Sequence, residues 1–308
     1  MYTSIHLKFI ETPLLDILKD AVNACDGVGS NIETYPLCDY VMQSIFLRMT
    51  GAQEQKLKCI CWELATNNFS YRYRYLKEVK NDYGEFSKYE QKNKVYNELL
   101  REILRKNPDF LINKYEWIVG ITESVRQRYL QDEINEQIQL EIEKQKSKGN
   151  ILNDQAVLNI EKNVTERYSD QNKQEELLFK AKKKHFLLEV KSKFQKVLNN
   201  STLSVSNWRG YTFWSMDKEM ISDQYALSGN LLGGKLKLLY EDDVIQHRHR
   251  CAHNLTSYQQ NLPTLSTLSD SKYKSCNYFF RFYILILIDE VFIRLYREYI
   301  KALDDKII

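Results

Sequence analysis

The stretch MTGAQEQKLKCICWEL, residues 49–64, has a pattern that is typical of an α-helix. Its apolar residues Leu57, Ile60 and Leu64 are spaced as on one face of an α-helix. Thr50, with a glutamine three residues later, matches a capping box, so the pattern predicts that a helix begins at this point. The stretch therefore indicates an α-helix and not a strand.

The same helical spacing extends from about residue 10 to residue 107. Only four prolines and ten glycines interrupt the 308 residues, and the sequence between them is rich in Leu, Ile, Glu, Lys and Gln, which favour helices. A hydrophobic fraction of 43% in a chain of this length is enough to bury a sizeable core. These features predict an all-α protein. Two further sets of apolar residues with helical spacing are Leu14, Leu15 and Leu18, and Val41, Ile45 and Phe46.

The middle of the chain, from about residue 120 to 198, combines dense charge with few apolar residues. Ile134, Ile138 and Ile142 form a narrow stripe, and residues 147–150 have the composition of a turn. This pattern predicts a long charged helical hairpin or a short antiparallel coiled coil. A run of lysines in its second half either contacts phosphate backbones or forms a solvated helix face balanced by glutamates, and the sequence leaves both readings open. The run comprises Lys180, Lys182, Lys183, Lys184, Lys191, Lys193 and Lys196.

These changes in composition divide the chain into three predicted parts. Residues 1–119 supply the N-terminal helices of a bundle, 120–198 form the charged insertion, and 199–308 supply the C-terminal helices. The last part contains FYILILI, residues 282–288, far shorter than the roughly 20 apolar residues of a membrane span, so it predicts a core helix within roughly 271–302. Because the N-terminus also lacks the pattern of a secretory signal, we expect a cytoplasmic protein that does not bind membranes.

Two arginines and three histidines crowd into QHRHRCAHN, residues 246–254. His249 and His253, four positions apart, would share one face of a helix and could bind a metal ion. A metal site needs a third ligand, which no other motif supplies, and the neighbouring arginines would repel a dication. We therefore expect no metal and no cofactor.

A second interpretation uses Arg248 and His253 in acid–base chemistry. Arginine keeps its charge at any relevant pH and offers a planar set of donors to phosphate oxygens. A neutral imidazole accepts a proton near pH 7 and can return it. Cleavage of an RNA phosphodiester needs both a fixed positive charge and a proton-transfer group. Protons must move at the 2′-hydroxyl and the leaving 5′-oxygen while negative charge accumulates on the phosphoryl oxygens.

The segment RHRCAH, residues 248–253, resembles the R-x4-6-H motif of the HEPN superfamily (higher eukaryotes and prokaryotes nucleotide-binding). It has the common form in which a polar residue, here His249, directly follows the arginine. The resemblance covers the C-terminal stretch from about 236 to 300, and the all-helical composition and the late position of the motif agree with it. It implies that Arg248 and His253 are the catalytic pair and that His249 supports them.

The resemblance also implies a helical bundle that dimerises, so that two motifs form one composite active site. Many members of the superfamily are metal-independent endoribonucleases that act as toxins or antiphage effectors. We therefore expect an RNA substrate, a homodimer, and an antitoxin or defence-system partner. The alternative is a catalytically inactive HEPN-like module that binds RNA, nucleotide or protein. A net charge of +3 permits nucleic-acid binding without requiring it.

Other polar residues are candidates for the same active site. Glu54 and Lys58, in GAQEQKLK, are interpreted as supporting residues, with the glutamate orienting Arg248 or His253; the alternative is a capping, solvent-facing turn. Arg250 and Asn254 are RNA-contact candidates because they adjoin the motif.

Overall fold

The computed structural model describes residues 4–28, 35–79, 86–110, 123–149, 153–199, 230–253 and 278–304. Every regular element within these ranges is helical, which confirms the predicted all-α class. The N-terminal helices are α1 (Leu7–Glu11), α2 (Leu14–Val28), α3 (Tyr35–Asn67), α4 (Phe69–Val79) and α5 (Tyr89–Lys106). They are followed by α6 (Glu123–Ser147), α7 (Asp154–Arg167) and α8 (Gln171–Asn199). The C-terminal elements are α9 (Gly234–Leu239), a π-helical turn (Tyr240–Ile245), α10 (Gln246–His253) and α11 (Tyr278–Asp304).

The predicted helix start at Thr50 is wrong, because this residue lies in the middle of α3. Its hydroxyl donates to the carbonyl oxygen of Leu47 at 2.9 Å, within the same helix. A threonine can satisfy its hydroxyl in this way without ending the helix. The following residue, Gly51, is also accommodated, with open space where a Cβ would lie. One long helix therefore replaces the two that the cap signal predicted.

The core is organised around α11, which contains the apolar run FYILILI. Every residue from 280 to 293 is buried, so this part of the helix is enclosed on all sides. It packs against α2, α3, α5 and the π-helical turn. This confirms the predicted core helix, whereas the predicted start near residue 271 lies outside the described residues. No helix in the described part of the chain has the length and apolar character to cross a membrane.

The chain forms two compact units. One unit comprises residues 1–109 and 189–308, and the other comprises Phe110–Leu188. The second unit begins and ends ten residues before the predicted limits of the charged segment at 120 and 198.

The second unit contains a small apolar cluster on otherwise charged helices. The predicted isoleucine stripe of α6 is buried in it, and a turn follows at Gly149, whose φ of 81° suits glycine. The segment is not a simple two-helix hairpin, since a short break between Arg167 and Gln171 separates α7 from α8. The cluster consists of Leu130, Ile134, Ile138, Ile142, Val164, Leu177 and Leu178.

Part of the lysine run is occupied by intramolecular contacts. Lys193 Nζ lies 3.0 Å from Glu189 and 3.4 Å from Glu290, while Lys182 is buried. The side chains of Lys183 and Lys184 lie outside the described part. The run is therefore not a uniformly solvated face.

Candidate functional site

The R-x4-H motif lies on α10, which continues directly from the π-helical turn. This turn is anchored at two points in the core. The Tyr240 hydroxyl donates to the carbonyl oxygen of Ser87 at 2.8 Å, and Arg281 Nε of α11 donates to the carbonyl oxygen of Asp243 at 3.1 Å. Single π-helical turns often occur at functional sites. The anchors fix the start of α10, and with it the direction in which the motif residues project.

The inner face of α10 carries His247 and Cys251, one helical turn apart. His247 Nε2 lies 3.3 Å from Cys251 Sγ, and its ring centroid lies 5.0 Å from that of Phe46. Burial, with the charges of Arg281 and Arg250, lowers the pKa of His247 to about 2. This imidazole therefore stays neutral and enclosed, and it is not available for proton transfer to a substrate.

Arg248 projects from the flank of α10 toward α3, where it meets Glu54. Its Nη2 lies 2.7 Å from Glu54 Oε1, and the side chains are 25% and 10% exposed. Glu54 Oε1 nevertheless accepts no aligned hydrogen bond among the described residues, so this contact is an ion pair whose N–H does not point at the oxygen. The predicted contact between Glu54 and the motif arginine is present in the structure. The guanidinium is thus held near the surface while it remains open on one side.

The other motif residues differ in how the structure places them. His249 and Arg250 are exposed on the outer side of α10. His253 is the last residue of this helix, and its side chain lies outside the described part, as does all of Asn254.

The predicted supporting residues on α3 are only partly matched. Glu54 contacts Arg248, while Lys58 lies one turn further along α3 and is half-buried, with no contact to the arginine among the described ones. The sequence reasoning missed Gln53 and Lys92, which are both buried, and the charges of the ion pair act on Lys92. Lys92 Nζ donates to Gln53 Oε1 at 2.8 Å.

A signal for Lys92 was present in the sequence of α5. Lys92 stands three residues after Tyr89 and three before Val95, both of which are buried. A charged residue within such an apolar stripe is expected to be buried, and it then needs a polar partner.

The described residues contain no group of three or more His, Cys, Asp or Glu side chains arranged to hold a metal ion.

Replacing His247 by leucine should flatten the acid dependence of stability. His247 has a folded pKa below its ordinary value of 6.5, so only the unfolded chain takes up its proton as the pH falls below that value. The neutral histidine therefore makes its full contribution to the free energy of unfolding above pH 6.5. This contribution is lost as the pH falls toward 2. Urea unfolding measured between about pH 7 and about pH 4 should show a smaller loss in His247→Leu than in wild type.

Cys251→Ala is the matched control for this prediction, because it removes the sulfur contact and keeps the titrating ring. Its acid dependence should follow that of the wild type. If the free energy of unfolding falls equally with pH in His247→Leu and in wild type, the assignment of His247 as buried and neutral is contradicted.

Comparison of the chain with protein-family models, with curated proteins and with solved structures finds no match.

Proposed function

We propose that this protein is a metal-independent endoribonuclease of the HEPN type, with a HEPN-like helical bundle formed by its first unit. The observation that carries the proposal is the Arg248–Glu54 ion pair, which holds the arginine of the R-x4-H motif at a partly exposed position. A guanidinium held in this way can meet a phosphoryl oxygen with little loss of side-chain entropy. Exposed Arg250, two residues further on, supplies a second phosphate contact.

Proton transfer is assigned to His253, with His249 as the supporting residue. Burial removes His247 from this role, which leaves these two as the imidazoles of the motif. One α10 provides a single His253, so a composite cleft formed by two copies of the chain would supply two proton-transfer groups. One histidine would then act as the base at the 2′-hydroxyl and the other as the acid at the 5′-oxygen.

The biological role that fits this chemistry is that of a toxin or antiphage effector restrained by a partner. A second candidate is a non-catalytic module that binds RNA, nucleotide or protein. The observation that favours this alternative is that Glu54 already neutralises much of the charge of Arg248.

The purified full chain should cleave single-stranded RNA in excess EDTA. The expected products carry a 2′,3′-cyclic or 3′ phosphate and a 5′-hydroxyl, because the attacking nucleophile is the neighbouring 2′-hydroxyl and not a metal-bound water. Product ends are identified by mass spectrometry of a short oligoribonucleotide. Cleavage that requires an added divalent metal, or products with a 5′-phosphate, would reject this mechanism.

A further inference from the structure

A buried amine, that of Lys92, lies close enough to the Arg248–Glu54 ion pair to interact electrostatically with both of its charges. Lys92 is 1% exposed, and its Nζ both donates to Gln53 Oε1 and lies 5.9 Å from the centroid of the Tyr240 ring. Gln53 precedes Glu54 on α3, and Tyr240 begins the π-helical turn that continues into α10. Lys92 of α5 therefore contacts both of the elements that carry the ion pair.

The charges around this amine are already balanced without it. Among the described residues in its electrostatic range, Glu54 and Asp289 are acidic and Arg248 is basic, and Asp289 is paired with Lys56 at 2.7 Å. A protonated Lys92 would be a fifth charge with no carboxylate of its own. Burial lowers the pKa of Lys92 to about 7. The negative charges of Glu54 and Asp289 oppose this change, and the positive charge of Arg248 adds to it.

Glu54 has unused capacity to accept a hydrogen bond. Its Oε1 is buried and, within the part of the chain that the structure describes, accepts no hydrogen bond, although Arg248 Nη2 is 2.7 Å away. A carboxylate in this state is stabilised by any additional positive charge nearby. Glu54 can thus interact with a second cation without breaking an established hydrogen bond.

We propose that Lys92 is a positioning residue for Arg248, which acts by sharing the negative charge of Glu54 with it. This inference rests on the proposed function, in which Arg248 binds the substrate phosphate. With Lys92 protonated, Glu54 holds Arg248 less tightly, and the guanidinium turns more readily to a phosphoryl oxygen. The phosphate in turn offsets the charge of Arg248, which otherwise opposes the ammonium group, so binding of the substrate draws a proton from solvent onto Lys92.

The sign of the resulting pH dependence follows from this coupling. Phosphate binding raises the pKa of Lys92, so the bound state holds more protons than the free state around neutral pH, and affinity increases as the pH falls. If the pKa rises by about one unit on binding, affinity changes by about tenfold across the transition.

The test uses a fluorescent 2′-O-methyl oligoribonucleotide, which lacks the 2′-hydroxyl nucleophile, and the full chain in EDTA. Wild-type affinity, measured by anisotropy, should increase by about tenfold from about pH 9 to about pH 6. Lys92→Met, which keeps the side-chain length, should show a smaller increase than the wild type, because the contribution of the titrating amine is lost. Lys94→Met on the exposed side of α5 is the control and should behave as wild type. An unchanged pH dependence in Lys92→Met would overturn the proposal.

A second measurement does not depend on RNA. In the full chain with isotopically labelled lysine, NMR should show Lys92 titrating near neutral pH, with its midpoint lowered by Glu54→Gln and raised by Arg248→Met. Insensitivity to both substitutions would overturn the proposed coupling even if RNA binds. If no oligonucleotide binds at any pH, the proposed function fails, and the NMR shifts alone decide whether Lys92 is coupled to the ion pair.

Discussion

Arg248→Ala and His253→Ala should each lower RNA cleavage by on the order of a hundredfold or more, the usual scale for losing a charge-stabilising or proton-transfer group. In the proposed mechanism, the arginine supplies fixed positive charge at the phosphoryl oxygens, and the histidine moves the proton. Single-turnover rates with a defined oligoribonucleotide measure both effects. Arg250→Ala should instead weaken RNA binding and reduce its salt dependence, because an exposed phosphate contact positions the substrate without moving protons.

The Arg248 substitution needs a control for its effect on stability. Arg248→Ala also leaves the mostly buried Glu54 carboxylate without its cation, which should cost ~1–3 kcal/mol of stability. The double variant Arg248→Ala, Glu54→Gln removes that charge and should regain much of the stability while remaining inactive. Recovery of cleavage in the double variant would show that Arg248 acts only through the fold.

Asp289→Ala should produce the largest loss of stability of any single polar substitution proposed for this chain. Asp289 and Lys56, with side chains 2% and 4% exposed, form a buried ion pair at 2.7 Å. The second carboxylate oxygen accepts the backbone N–H of Leu14 at 2.8 Å, and Lys56 also donates to the carbonyl oxygen of Thr12. Alanine leaves a buried ammonium group without its counter-ion, at a cost of ~3–5 kcal/mol in urea unfolding.

A double variant distinguishes loss of the pair from loss of packing. Lys56→Met combined with Asp289→Leu replaces both charges by apolar side chains and should be far more stable than Asp289→Ala, because no uncompensated charge remains. Burial raises the pKa of Asp289 to about 6 despite the neighbouring Lys56, which agrees with a costly desolvation at this position. A loss below ~1 kcal/mol in Asp289→Ala would contradict the anchoring role of the pair.

The helical class could be predicted from sequence because apolar spacing reports which face of a helix is buried. The core helix α11 was predicted in a different way, from the continuous apolar run FYILILI, because a helix with apolar residues on all faces is expected in the core. Boundaries inside helices could not be predicted in the same way. Thr50 carries the local signal of a cap, yet its hydroxyl bonds to the carbonyl of Leu47 and α3 continues through it. Tertiary packing of one long helix overrides a local signal worth ~1 kcal/mol.

The candidate site was only partly accessible to sequence reasoning. Glu54 was selected for its polarity near a predicted helix start, and it does contact Arg248. Lys58, selected on the same ground, has no such contact among the described residues. Lys92 was not selected, because its partners on α3 and on the π-helical turn come from distant parts of the chain. A single sequence shows that a charged residue lies in an apolar stripe, but it does not show what that residue meets.

The assignment of proton transfer to His253 is tested most directly by a comparison of cleavage and binding in the His253→Ala protein. RNA affinity and single-turnover cleavage are measured in EDTA for this variant and the wild type under identical conditions. We expect the variant to bind RNA with wild-type affinity and to cleave it on the order of a hundredfold more slowly or not at all. Wild-type cleavage that the substitution leaves unchanged would contradict the assignment of His253, and RNA binding by both proteins without any cleavage would support the non-catalytic module instead.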